Sequence, residues 1–153
     1  MRPQDTSAPN WSVTCISVNS STAISKARIW RGVDRRGRPH GAKNYNDIVA
    51  KFGLGATRDF LKEADPFHDA ESDVEYWSRV EEGFALIASN PALRDSDDVL
   101  QISHGNTLLS LMHRFAPEGY DLSERPANGS VTTLDFDTSK PIAEAVTVVS
   151  YNQ

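Results

Sequence analysis

Residues 99 to 107, Val-Leu-Gln-Ile-Ser-His-Gly-Asn-Thr, constrain this chain more than any other stretch. Apolar, strand-forming residues run through His104 and Gly105 straight into the amphipathic series Leu108 to Phe115. The pattern predicts a strand over Val99 to Ser103 followed at once by a helix. One imidazole then sits at the carboxyl end of a strand and the amino end of a helix. In open α/β sheets this crevice is where ligands bind, and the unpaired N–H groups and positive dipole of the helix end favour an anion such as phosphate. His104, with the backbone N–H groups of Gly105, Asn106 and Thr107, is therefore the first candidate site. A cap for the helix is the competing role for Asn106 and Thr107.

The rest of the chain supplies elements of both kinds. Trp11 to Val18 reads as a strand, Thr22 to Trp30 as a short helix ended by Gly32, and Val33 to Lys43 as a loop. Helical spacing over Tyr45 to Phe52 is interrupted by Gly53 and Gly55, with a second short helix over Ala56 to Ala64. Val74, Trp77, Val80, Phe84, Ile87 and Ala88 mark one face of a helix that Asp69 or Ser72 can cap and Asn90-Pro91 stops. After a loop over Ala116 to Gly129, Ser130 to Phe136 and Ala143 to Tyr151 read as two final strands. Strands alternating with helices predict an α/β three-layer sandwich with a partly parallel central sheet. Residues 1–10 read as a disordered segment and residues 11–153 as a single domain.

Four segments resemble, in order, the histidine phosphatase superfamily, the phosphoglycerate mutase-like proteins. Ser103-His104-Gly105 is similar to the motif of the family's second histidine, and Asn128 to Phe136 to its late strand. Ala70-Glu71-Ser72 followed by Arg79 resembles the family's Glu-Ser helix start, and Ser17 to Ala27 its Ser-Ser-x-x-x-Arg-Ala turn. The resemblance spans about Trp11 to Phe136. It implies that His104 binds and orients the transferring phosphoryl group, that Lys26 stands in the place of an arginine clamp, and that a phosphomonoester is processed through a phosphohistidine, with no cofactor or metal. Lysine keeps the charge and loses the two-pronged geometry.

The family's nucleophilic histidine lies in a first strand ending Arg-His-Gly, a tripeptide these 153 residues do not contain. The resemblance thus implies an incomplete phosphoglycerate mutase-like fold, with the nucleophile-bearing segment outside this chain. A truncated gene product, a start codon placed too late and a non-catalytic phospho-ligand binding or regulatory relative are all consistent with that. A first strand in the middle of the family's sheet also implies self-association through an exposed edge when it is missing. The general acid is open: Phe52-Gly53 matches a family pair, but Val49 falls where the glutamate is expected, leaving Asp47, Asp59 and Glu71.

Other histidines fit less well. His40 in Arg38-Pro39-His40-Gly41 follows no buried strand, His68 and His113 have no metal-ligand spacing, and Ser103 points away from its neighbour His104 on a strand. Arg31, Arg35, Arg36 and Arg38 are interleaved with Gly32, Gly37 and Pro39, as in a solvated loop. A net charge of −5 argues against nucleic acid as the partner, and a small phosphorylated metabolite is expected instead. The lone Cys15 in an apolar context, the absence of an apolar leader and the lack of any bilayer-length apolar run point to a cytoplasmic protein without membrane attachment.

Overall fold

The computed structural model of the chain describes residues 12–13, 41–42, 44–67 and 69–153. The expected segment 1–10, the helix Thr22 to Trp30, and Cys15, Lys26, Arg28, the Arg31 to Arg38 cluster, His40 and His68 lie outside the described residues.

The described elements are β1 (Ser12–Val13), α1 (Tyr45–Ala64), α2 (Asp73–Ala88), β2 (Val99–Leu100), α3 (Gly105–Phe115), β3 (Thr133–Phe136), α4 (Ile142–Ala145) and β4 (Val146–Ser150). This is a mixed α/β arrangement with two small two-stranded sheets. Ser12 pairs with Val99 and Val13 with Leu100 in parallel, while β3 and β4 run antiparallel with Leu134 opposite Val148 and Phe136 opposite Val146.

Local chemistry accounts for the helices. Asn44 caps α1, its Oδ1 accepting the Asp47 N–H at 2.9 Å. Gly53 interrupts α1 with φ 81°, ψ 173°, a conformation that glycine adopts without steric cost. The two helical runs read from the sequence are thus two segments meeting at a kink. Ser72 rather than Asp69 caps α2, and it does so reciprocally. Its Oγ accepts from the Glu75 N–H at 3.3 Å while the Glu75 carboxylate accepts the Ser72 N–H at 2.8 Å.

Between these helices Asp65, only 1% exposed, holds the turn together. Its carboxylate accepts the N–H groups of Phe67 (3.0 Å), Asp69 (2.8 Å) and Ala70 (2.8 Å). Asp65→Ala would leave three donors without that acceptor and misplace the entry to α2. We expect a loss of about 3 kcal/mol in urea unfolding, since hydrogen bonds to a charged group are the strong ones. An unchanged midpoint would show that the turn is held by other means.

The core lies between the inner face of the β3–β4 hairpin and the helices α2 and α3. Phe84 of α2, Leu111 of α3 and Val146 of β4 form one cluster, joined by Trp77, Leu134 and Phe136. The Phe84 and Phe136 ring centroids are 5.1 Å apart. Met112, Val148 and Tyr151 form a second cluster with Tyr120 and Leu122. Val131 and Val149, and Leu100 and Ile102 along the other strand, are exposed.

The strands are shorter than their residue types predict. Gln101 to Ser103 follow β2 with no ladder pairing among the described residues, and Val131 pairs with Gln153 beyond an irregularity at Thr133/Leu134. The expected last strand from Ala143 begins instead at Val146, because Ile142–Ala145 forms one helical turn, with the Glu144 N–H donating to the Pro141 carbonyl at 2.8 Å. Ala143, Glu144 and Ala145 favour a helix over a strand, so the β-branched run Val146 to Val149 alone makes β4.

Candidate functional site at the amino end of α3

His104 is the residue at which extended backbone turns into α3, with φ −107° and ψ 150°. Its carbonyl accepts the N–H groups of Thr107 at 2.9 Å and Leu108 at 3.0 Å, and its exposed imidazole makes no capping bond. The N–H of Thr107 is therefore engaged within the helix end. The N–H groups of Gly105 and Asn106 have no partner among the described residues and remain for an anion. Thr107 lines a small cavity of ≈ 20 Å³ with Arg79, Gln101, Ser103 and Leu111. The buried Ser103 hydroxyl, unpartnered, also faces that interior, whereas the His104 imidazole faces outward. A Ser103–His104 nucleophile pair is thus excluded by direction as well as by strand geometry.

Three residues that carry no sequence motif gather here. Arg125 lays its side-chain stem along Gly105, where a Cβ would meet Arg125 carbons at 3.5 Å, and its guanidinium forms no ion pair or hydrogen bond among the described residues. Arg58, on α1, donates to the Asp73 carboxylate and to the Ser110 hydroxyl, which in turn donates to the Asn106 carbonyl at 2.8 Å. That relay ties α1 and α2 to the amino end of α3. Tyr45 lies within 3.5 Å of the Asn106 amide nitrogen. Burial raises the Tyr45 phenol above its ordinary pKa, against the opposing pull of the Arg58 and Arg125 charges. Two guanidinium groups therefore flank one neutral phenol beside the free N–H groups.

A second arginine pair surrounds Tyr76 of α2. The Arg58 guanidinium carbon stands 3.6 Å from the Tyr76 ring centroid and that of Arg79 5.4 Å. Arg79 grips Glu71 with two parallel hydrogen bonds of 2.6 and 2.7 Å. That hydrogen-bonded fork lowers the Glu71 pKa despite partial burial. A group held below its ordinary value stays ionised at neutral pH, and its stabilising contribution fades only as pH falls through the lowered value. Glu71 is thus placed to position Arg79; a general acid requires the opposite shift.

The other carboxylates named from the sequence are engaged elsewhere. Asp47 pairs with Lys51 at 3.3 Å at the start of α1, and Asp59 accepts the Asp73 N–H at 2.8 Å. The described residues contain no group of three or more His, Cys, Asp or Glu able to hold a metal, and no helix among them is long and apolar enough to cross a membrane.

No single-sequence signal marked Arg58 or Arg125. An arginine on a helix or in a Pro/Gly-rich loop reads as solvated, and both lie far from His104 in the chain. No family model, curated protein or solved structure matches the chain.

Proposed function

We propose that this chain carries the phosphate-binding part of a histidine phosphatase-type site and, with a nucleophile-bearing segment, acts on a small phosphomonoester through a phosphohistidine. The observation that supports it is the set of donors at the start of α3 that have no partner among the described residues: the His104 imidazole, the N–H groups of Gly105 and Asn106, and the Arg125 guanidinium, whose stem lies against Gly105. Backbone donors at a helix terminus together with a forked cation are what an oxyanion of phosphate requires. Lys26, as the resemblance implies, would add a further cation.

The accompanying fold reading is a three-layer, incomplete phosphoglycerate mutase-like domain with a partly parallel central sheet, in a cytoplasmic protein. The parallel pairing of β1 with β2, and the exposed Leu100, Ile102, Val131 and Val149, support a sheet that self-associates through an open edge. The ionised, arginine-gripped Glu71 favours the alternative of a non-catalytic phospho-ligand binder, because it leaves the acid role unfilled.

Phosphate or vanadate titrated into the 153-residue chain should shift the His104 imidazole resonances and leave those of His113 still. Arg125→Ala should weaken that binding about tenfold, the value of one charge-assisted contact. No response at His104 up to high concentration would overturn the proposal.

A further inference from the structure

Arg125 also forms one wall of an open groove of ≈ 500 Å³ between the loop at Tyr120 to Arg125 and the segment Tyr151-Asn152. Its volume lies in the range of small-molecule sites. We propose that this groove receives the organic part of the phosphomonoester and selects an alcohol that carries a fixed positive charge, as an O-phosphorylated amino alcohol does. The inference rests on the phosphate reading above and names its substrate class.

Three observations carry it. The first is continuity: the same arginine whose stem lies on Gly105 forms the wall of the groove, so a phosphate held at α3 projects its ester substituent past Arg125.

The second is the charge order. Besides Arg125 the groove presents Asp121 and Glu124, neither of which makes an ion pair among the described residues. The Ser123 hydroxyl and N–H bind one Asp121 oxygen at 2.6 and 3.0 Å, leaving the other without a partner among the described residues. Those bonds hold the Asp121 carboxyl below its ordinary pKa, so it is charged at neutral pH. With Arg125 as its cation and Asp121 and Glu124 as its anions, the lining carries both charges that a zwitterion requires.

The third is aromatic. Tyr120 and Tyr151 line the groove as an edge-to-face pair, rings at 89° and centroids 6.3 Å apart, and aromatic rings attract an ammonium group. Tyr151 is 8% exposed, yet its hydroxyl has no hydrogen-bond partner. Burial and the nearby Asp121 charge raise its pKa, which places phenol and carboxylate within electrostatic reach of each other. A buried phenol with an unmet donor, beside a carboxylate with an unmet oxygen, is a polar pair that a ligand would complete.

The test follows the His104 imidazole and the Tyr120 and Tyr151 ring resonances of the 153-residue chain in titrations with inorganic phosphate, glycerol phosphate, choline and phosphocholine. Phosphocholine should bind about tenfold more tightly than glycerol phosphate and move both histidine and tyrosine signals, while choline alone moves only the tyrosines. Asp121→Asn with Glu124→Gln should bring phosphocholine down to the affinity of glycerol phosphate. Tyr151→Phe, which keeps the packed ring, should reduce the preference in part if the double variant fails to fold. Equal affinities for the two esters, with His104 still responding to phosphate, overturn this inference and leave the proposed function standing. A silent His104 with every phosphate overturns both.

Discussion

Replacing Met112 with alanine should cost about 2–5 kcal/mol and lower the melting temperature by roughly 10 °C. Met112 is 1% exposed and sits on α3 among Val148, Tyr151, Phe115, Tyr120, Leu122 and Leu134, at the junction of the helix layer, the β3–β4 hairpin and the groove wall. The truncation removes three heavy atoms from a site whose neighbours come from three separate elements, so the surroundings cannot collapse by moving any one of them. Met112→Leu conserves volume and should cost under about 1.5 kcal/mol. Thermal and urea unfolding followed by circular dichroism measure both. A Met112→Ala loss below about 1 kcal/mol would mean that the second core cluster is loosely packed in solution. Because Tyr151 belongs to that cluster, the same variant should also blunt ligand responses in the groove.

Where local rules and tertiary demand agree, the sequence was sufficient. The 3.6-residue apolar repeat of α2 put Trp77, Val80 and Phe84 on the packed face, although Val74, counted with them, is 79% exposed and Tyr76, left out, is buried; of the two caps open to it, Ser72 with Glu75 three residues on needs nothing from elsewhere. Gly53 and the junction at His104–Gly105 were legible for the same reason.

The strands were less so. Residue types over Val99 to Ser103 and Ser130 to Phe136 are right for a sheet, but ladder length depends on which neighbours are present, and a single strand does not encode its partner. Ile142 to Ala145 misled because an isoleucine beside alanines serves either a strand or one helical turn. The site divides likewise. His104, Gly105 and Asn106 are contiguous and announce themselves, whereas Arg58, Tyr45 and Arg125 reach the same place through packing of α1 and the 116–129 loop. Thr107 was placed correctly in the first turn, yet its N–H serves the His104 carbonyl, a detail of cap geometry that residue type does not carry.

The largest effect concerns turnover. We expect the 153-residue chain to hydrolyse p-nitrophenyl phosphate no faster than buffer, and a version extended at its amino end by an apolar strand ending in Arg-His-Gly, with a linker of sufficient length, to do so measurably. Phosphomonoester hydrolysis without a catalyst is among the slowest of biological reactions, with enzymatic accelerations of up to about 10²¹. Donors that stabilise phosphate charge bind the ground state as well as the transition state, and uniform binding does not raise kcat. The described site holds such donors, but its imidazole, His104, is at the helix end, where the proposed function gives it the orienting role. A covalent route needs a second imidazole placed to attack phosphorus. In the extended chain His104→Ala should then lower kcat by about 10²–10³, as removal of one transition-state donor does elsewhere. The added strand should also raise the melting temperature, by pairing the N–H and C=O groups of Gln101 to Ser103 that have no ladder partner among the described residues. Robust turnover by the short chain that survives His104→Ala would overturn the phosphohistidine route. An extended chain that gains stability but no activity, while His104 still binds phosphate, would select the non-catalytic phospho-ligand reading.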